Sequence, residues 1–109
     1  MTLDNVKMNV IKTAPNGAVN NLTIFNFTQH GHLISATYSG GAILNGYLVG
    51  TVKGQEVGFS YCQLEVDEKH RSGQSACKLS TNEDGKLQLI ESFTWGPDQQ
   101  SGVNILQEL

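Results

Sequence analysis

The amino-acid sequence predicts an all-β protein made of about eight short antiparallel strands. Apolar residues recur at a period of two along almost the whole chain, which is typical of strands that bury one face. Glycine occurs 12 times, and many of the glycines lie between the alternating segments, where turns are needed. No apolar pattern at helical spacing continues for more than a turn or two, so we expect no helix.

Composition limits the class of protein. The chain has 109 residues, enough for one core, and we expect a single domain over residues 1–109. Its net charge is −3 and its seven basic residues are scattered, which argues against a nucleic-acid partner. No apolar run is long enough to cross a membrane and the N-terminus has no apolar signal core. We therefore expect no membrane partner and a cytoplasmic location.

Four strands are predicted in the first half of the chain: Val6–Lys12, Leu22–Thr28, His32–Ser39 and Ala42–Val52. The first two connections contain the turn residues Pro15–Gly17 and Gln29–Gly31. Proline presets one negative φ angle and glycine accepts a positive one, so both connections are expected to be turns.

The longest predicted strand, Ala42–Val52, begins after a tight turn and contains further glycines. Gly40–Gly41 can supply both positive φ angles of a hairpin, so Ser39 is expected to face Ala42. Asn45–Gly46 is also a hairpin signal, but a turn there would leave only a very short strand before it. We therefore predict one long, bent strand with a β-bulge at Asn45–Gly46, where the glycine takes the left-handed conformation.

Four more strands are predicted in the second half: Glu56–Val66, Gly73–Ser80, Leu87–Trp95 and Gly102–Glu108. The charged segment Asp67–Ser72 is interpreted as a solvated loop. Alternate residues of the seventh strand share one face: Leu87, Leu89, Glu91, Phe93 and Trp95. In the fifth strand the corresponding face carries Val57, Phe59, Tyr61 and Gln63.

Short turns between consecutive strands describe an antiparallel meander. An open meander leaves two unpaired edges, and closure removes them. We therefore predict a small, calycin-like β-barrel. A two-sheet β-sandwich is the alternative, although its Greek-key crossings need longer connections than most of those predicted here.

Several spaced patterns carry a family resemblance. They are Tyr38-Ser-Gly-Gly-x-Ile-x-x-Gly-x-Leu-x-Gly50, Phe59-x-Tyr61-x-Gln63, Gly73-x-Ser75-x-Cys77, Asp84-Gly-Lys-Leu-x-Leu-x-Glu-x-Phe-x-Trp95 and Gly102-x-x-Ile-x-x-Glu-Leu109. Over Thr28 to Leu109 the chain resembles a family of small bacterial β-proteins whose members often bear the name N-acetylglutamate synthase. The resemblance implies a small bacterial β-protein. The synthase activity is not carried over, because an acetyltransferase of the usual fold binds coenzyme A pyrophosphate at a helix N-terminus.

Cys62 and Cys77 are the candidate metal or redox residues. If Val66 pairs with Gly73, the same register places Cys62 opposite Cys77. A zinc site needs two further ligands, and His70 is expected at the loop tip, out of reach, so we predict neither a metal nor a cofactor. In a reducing cytoplasm the two thiols are expected to be reduced, buried neighbours.

Glu91 is the principal candidate for ligand binding. It lies in the middle of an apolar face, so either that face lines a ligand cavity or the carboxylate pairs with Tyr61, Gln63 or another strand neighbour. Burial would raise the pKa of Glu91. Alternatively, Glu91 lies in water near a barrel end. Gln63 is a further candidate for ligand binding. The remaining candidates are aromatic residues, which also serve as plain core: Tyr38, Tyr47, Tyr61, Phe93 and Trp95.

Two functions fit these features. In the first, the barrel is a non-enzymatic module that binds a small, largely apolar molecule in its interior or mouth. In the second, the interior is filled and the protein acts through its surface as a homodimer or interaction partner. An enzyme is a third option, motivated only by Glu91 and the tyrosines. The volume left inside the barrel separates the first two, because its predicted aromatics could fill it: Phe25, Phe27, Phe59, Phe93 and Trp95.

Overall fold

A computed structural model describes all of residues 1–109 and contains eight β-strands. The strands are β1 (Val6–Lys12), β2 (Ile24–His30), β3 (Leu33–Gly40), β4 (Ile43–Lys53), β5 (Glu56–Glu65), β6 (His70–Thr81), β7 (Leu87–Trp95) and β8 (Gln100–Glu108). Each strand pairs antiparallel with the next, and β1 also pairs with β8. The sheet is therefore a closed meander barrel, as predicted, and the β-sandwich alternative is wrong. No helix that could span a membrane is present.

Side chains alternate between the interior and the outside of the barrel. On β7, Leu87, Leu89, Glu91 and Phe93 are buried and Trp95 is half-buried, which confirms the predicted face. Near one end of the barrel the interior is wholly apolar and includes Leu3, which precedes β1 and is fully buried. Its other members are at most 2% exposed: Met8, Leu48, Leu79, Leu89 and Leu106.

The opposite end of the barrel is covered by the β1–β2 connection, residues 13–23, which we call the cap loop. The other turns at this end are short and comprise residues 41–42, 66–69 and 96–99. Thr13 of the cap loop donates a hydrogen bond of 2.8 Å to Asn104 Oδ1, and Asn16 Nδ2 donates one of 2.9 Å to the Ser101 carbonyl oxygen. Val19 is buried. The cap loop thus packs against the barrel mouth.

β4 is one continuous strand, as predicted, but the hairpin before it is shifted by one residue. Gly40 pairs with Ile43, where the sequence predicted Ser39 opposite Ala42. Gly40 has a φ of 111°, and a Cβ at this position would lie 2.1 Å from the Leu22 carbonyl oxygen. Glycine is therefore required here both by the backbone conformation and by the close approach of the cap loop.

Gly46 is required by packing and not by a left-handed backbone. The bulge of β4 in its pairing with β5 lies at Leu44, between Ile43 and Asn45, and Gly46 is not among the residues with positive φ. β4 is therefore bulged as predicted, but the bulge lies earlier than Asn45–Gly46, and the predicted left-handed conformation of Gly46 is wrong. A Cβ on Gly46 would lie 2.3 Å from the ring of Tyr38, directly across on β3. The missing side chain makes the space that this ring occupies.

The pairing of β5 with β6 separates the two cysteines. Cys62 pairs with Ser72, because β6 already begins at His70 and only residues 66–69 form the turn. Cys77 pairs with Val57 and is buried, whereas Cys62 is exposed on the outer face. The prediction of two buried, neighbouring thiols is therefore wrong. The interpretation of Asp67–Ser72 as a loop holds only for its first half.

Candidate functional site

The buried polar side chains lie between the middle of the barrel and the end covered by the cap loop. There are six of them: Thr23, Gln63, Glu65, Ser75, Glu91 and Asn104. Each buried polar group costs free energy unless it is hydrogen-bonded, and the apolar half of the barrel shows that the fold can pack without them. This half of the interior is therefore the candidate site.

Glu91 forms the floor of the site. Glu91 is only 6% exposed, and its carboxyl group lies between the two strands that flank β7. The Ser75 hydroxyl on β6 donates to Oε2 over 2.5 Å, and the Asn104 amide on β8 donates to Oε1 over 3.1 Å. Burial raises the pKa of Glu91 above its ordinary value, and the hydrogen bonds from Ser75 and Asn104 oppose part of that rise.

A second polar chain connects the interior to the rim of the barrel. The Tyr38 hydroxyl donates to Gln63 Oε1 over 2.8 Å, and Gln63 Nε2 donates to Glu65 Oε2 over 2.9 Å. Arg71 Nε lies 3.1 Å from the same oxygen of Glu65. Burial raises the pKa of Tyr38, and the nearby Glu91 carboxylate raises it further. Tyr38 therefore stays protonated and acts as the donor at the inner end of this chain.

Arg71 and Trp95 form the rim itself. The Arg71 guanidinium carbon lies 3.7 Å from the centroid of the Trp95 ring, a cation–π stacking distance. Trp95 Nε1 is buried and has no hydrogen-bond partner. Beside them, the Tyr61 hydroxyl donates to the Thr94 carbonyl oxygen over 3.2 Å. Burial, and then the charge of Glu91, raises the pKa of Tyr61 to about 12.

A small cavity remains between the cap loop and these residues. Its volume is about 30 Å³, which is room for about one or two water molecules. The cap loop closes it with Gly17, Ala18 and Val19. In this conformation the barrel is therefore nearly filled, and an organic ligand can enter only if the cap loop moves.

The cavity brings together six of the seven site residues predicted from the sequence: Tyr38, Tyr61, Gln63, Glu91, Phe93 and Trp95. Tyr47 does not join them. It lies on the outer face of β4 and is 55% exposed. The prediction that it lines the interior is therefore wrong. The reason is the alternation along β4, which turns its neighbours Gly46 and Leu48 inward.

Four residues of the site were not predicted from the sequence: Glu65, Arg71, Ser75 and Asn104. The period of two carries a signal for each of them. It runs back from Ser75 through Gly73 to Arg71, which precedes the predicted sixth strand, and forward from Gln63 to Glu65 within the predicted fifth strand. In the last strand it places Asn104 on the same face as the buried Leu106, and the pairing of Asn104 with Glu91 agrees with this.

Fold and site together define the class of protein: a closed, eight-stranded, calycin-type barrel with a polar site beneath a loop at one end. A family model described as avidin-like protein matches residues 1–109, which is the whole chain. The chain therefore belongs to the avidin-like protein family. A search of curated proteins and a search of solved structures found no match. The small β-protein family implied by the sequence resemblance fits this membership.

Proposed function

We propose that the protein is a non-enzymatic binding module for a small molecule, which occupies the barrel mouth beneath the cap loop. The hydrogen-bonded Glu91 at the floor of the cavity carries this proposal. A buried carboxyl group costs folding free energy, and it supplies the kind of fixed polar partner that orients a ligand in a mainly apolar pocket. Membership of the avidin-like family supports a ligand-binding barrel.

Apolar contacts with the ligand would come from aromatic residues. Phe25, Phe59 and Phe93 line the same cavity as Glu91. The Phe25 ring also stacks on Tyr38, with 4.4 Å between ring centroids. These rings are held by packing, so they offer a preformed apolar surface at low entropic cost. The ligand class is therefore a small, largely apolar molecule with one or more polar groups.

Binding requires displacement of the cap loop. Two of its side-chain hydrogen bonds to the barrel are those of Thr13 to Asn104 and of Asn16 to Ser101, and Thr23 at the end of the loop donates a third to the Gly40 carbonyl oxygen. When Thr13 leaves, Asn104 Oδ1 becomes a free acceptor for a donor on the ligand. Because only molecules with an open cap loop can bind, the apparent affinity is the intrinsic affinity multiplied by the fraction of molecules that are open. Weakening the Thr13 contact should therefore tighten binding.

Fluorescence of Trp95, the only tryptophan in the chain, tests the proposal. The experiment titrates small acids, alcohols and amines, with biotin included because of the family, and native mass spectrometry checks each response for a retained compound. Thr13→Val keeps the shape of the side chain but removes its hydrogen bond, so it should bind the same compounds more tightly than the wild type does. Thr37→Val, on the exposed outer face of β3, is the matched control and should leave affinity unchanged. No response from either the wild type or Thr13→Val would contradict the proposal.

The second candidate function is a protein-interaction module that acts through its surface as a homodimer. The outer face of β3 and β4 favours it. Leu33, Tyr47 and Val49 are 53%, 55% and 64% exposed on these neighbouring strands. Exposed apolar clusters of this kind often mark interfaces between chains. Sedimentation analysis over a range of protein concentrations tests it. A dimer that dissociates in Val49→Lys supports this function, and a monomer at every concentration contradicts it.

A further inference from the structure

We infer that the rim of the site is an anion subsite, in which Arg71 and Trp95 hold the carboxylate group of an otherwise apolar ligand. The inference rests on the proposed function, because it names the ligand class of the same site. The apolar body of the ligand would lie under the displaced cap loop, against the aromatic lining. Its carboxylate would remain at the rim.

Arg71 is fixed in place and still has free donors. Glu65 is its ionic partner within the chain, with Arg71 Nε 3.1 Å from Glu65 Oε2, and the two terminal nitrogens of Arg71 donate no hydrogen bond within the chain. The guanidinium group carries five N–H donors, so those of its two terminal nitrogens remain for a ligand. The Arg71 side chain is only 20% exposed, and Trp95 covers one face of the guanidinium. A preorganised and partly desolvated guanidinium group binds a carboxylate more strongly than a mobile surface arginine does.

Trp95 supplies a second, independent donor at the same place. Its Nε1 is buried and makes no hydrogen bond, although a buried N–H group without an acceptor is costly. Trp95 also lines the cavity next to Arg71. A ligand oxygen at the rim would give Trp95 Nε1 the acceptor that it lacks within the chain and would pair with the Arg71 guanidinium beside it.

The charges around the rim favour an acid over an amine. A groove that adjoins the rim is lined by Lys69, His70 and Arg71 and contains no acidic residue. An amine placed there would be repelled by Arg71 and Lys69. Glu65 contacts Arg71 and Glu91 lines the same cavity, so a singly charged carboxylate suits the subsite better than a doubly charged phosphate group.

Three probes with the same apolar chain test the subsite: octanoate, octanol and octylamine, titrated at neutral pH by Trp95 fluorescence and calorimetry. The wild type should bind octanoate about 10- to 100-fold more tightly than octanol, the range expected for charge-assisted hydrogen bonds, and octylamine most weakly. Added salt should weaken the binding of octanoate and not that of octanol. The salt measurement uses only the wild type and does not depend on the folding of a variant.

A double variant isolates the contribution of Arg71. Removal of Arg71 alone would leave the buried Glu65 without its partner, so the variant is Arg71→Met with Glu65→Gln, which leaves this part of the rim neutral. It should lose the preference for octanoate over octanol, which is measured as the ratio of the two affinities within the same variant. Arg71→Lys keeps the charge without the planar fork and should retain part of the preference.

The outcomes separate the subsite from the proposed function. Equal affinity for octanoate and octanol in the wild type, or an unchanged preference in the double variant, would overturn the subsite and leave the ligand cavity standing. Failure of all three probes to bind both the wild type and Thr13→Val would overturn the subsite, and the proposed function as well if the wider ligand screen gives no response.

Discussion

Asn104 on β8 donates a hydrogen bond of 3.1 Å to the buried carboxyl group of Glu91 on β7. The same side chain accepts one of 2.8 Å from Thr13 of the cap loop. A single residue therefore connects the floor of the site to its cover. A ligand that displaces Thr13 can replace its hydrogen bond at Asn104 Oδ1 without disturbing Glu91. Under the proposed function, a ligand would therefore replace the loop at little cost to the barrel.

Replacement of Glu91 by leucine should destabilise the protein. The change removes a buried carboxyl group, but it leaves the donors of Ser75 and Asn104 without an acceptor. Each such donor should lower the free energy of unfolding by about 1–3 kcal/mol. The second effect should be larger, because both donors lie in the buried interior, where a donor without an acceptor is costly. Denaturant melts at neutral pH measure the difference. Combining Glu91→Leu with Ser75→Ala removes one of the unpaired donors and should recover about 1–3 kcal/mol of the lost free energy of unfolding. If Glu91→Leu alone were as stable as the wild type, these hydrogen bonds would contribute nothing to stability.

The protonation of Glu91 should make the protein less stable as pH rises from acidic to neutral. Burial raises its folded-state pKa above 4.5, so the folded protein binds the proton more tightly than the unfolded chain does. The resulting stability is fully present below pH 4.5 and is lost as pH rises through the folded-state pKa. Glu91→Gln keeps a side chain that can bond to both Ser75 and Asn104 and should lack this slope. Parallel melts across acidic to neutral pH compare the two proteins, and identical slopes would contradict the assignment.

Gly46→Ala should destabilise the protein by about 1–3 kcal/mol, the usual range for overpacking. The new methyl group would lie 2.3 Å from the buried Tyr38 ring. Gly58→Ala is the matched control, because the nearest atom to its new methyl group is the Ser75 carbonyl oxygen at 3.9 Å and its φ is not positive. Thermal melts of both variants test this, with the control expected within about 1 kcal/mol of wild type. Equal losses in both would show that Tyr38 is not the cause.

The two thiols should differ sharply in reactivity. Cys62 is exposed and should react with a maleimide in the native protein, whereas Cys77 is buried. Burial, and then Glu91, raises the pKa of Cys77, which further suppresses its thiolate. Mass spectrometry should find one label in the native protein and two after denaturation. Cys62→Ser should take no label until it unfolds; rapid native labelling of that variant would contradict the burial of Cys77.

Local alternation was enough to predict most of the fold. The inward face of β7, with Glu91 among apolar residues, could be derived because every second residue carries the signal over the whole strand. Barrel closure could be derived from the short turns. The register of β5 and β6 could not, because it depends on where a turn begins inside a charged segment. The predicted register, with Cys62 opposite Cys77 instead of Ser72, differs from the actual one by an odd number of residues. It therefore placed Cys62 on the wrong face and left Arg71 outside the predicted strand.

The remaining features of the site depend on contacts across strands. Glycine is required at position 46 because the Tyr38 ring on the neighbouring strand occupies the space of a side chain. The hydrogen-bond partners of Glu91 lie on the strands at either side of it. Neither relationship is visible in the order of residues. The cap loop was recognised only as a turn at Pro15–Gly17, since nothing in its composition shows which end of the barrel it covers.

Chemical-shift mapping by NMR tests the central claim most directly, with the best ligand from the Trp95 screen. The chain has one indole N–H, that of Trp95, so this single resonance reports on the rim of the site without ambiguity. The proposed function predicts that it shifts together with the amides of the cap loop and of Asn104, while Leu79 at the apolar end and Val49 on the outer face stay unchanged. Shifts confined to the outer face of β3 and β4, with the Trp95 indole unmoved, would contradict it.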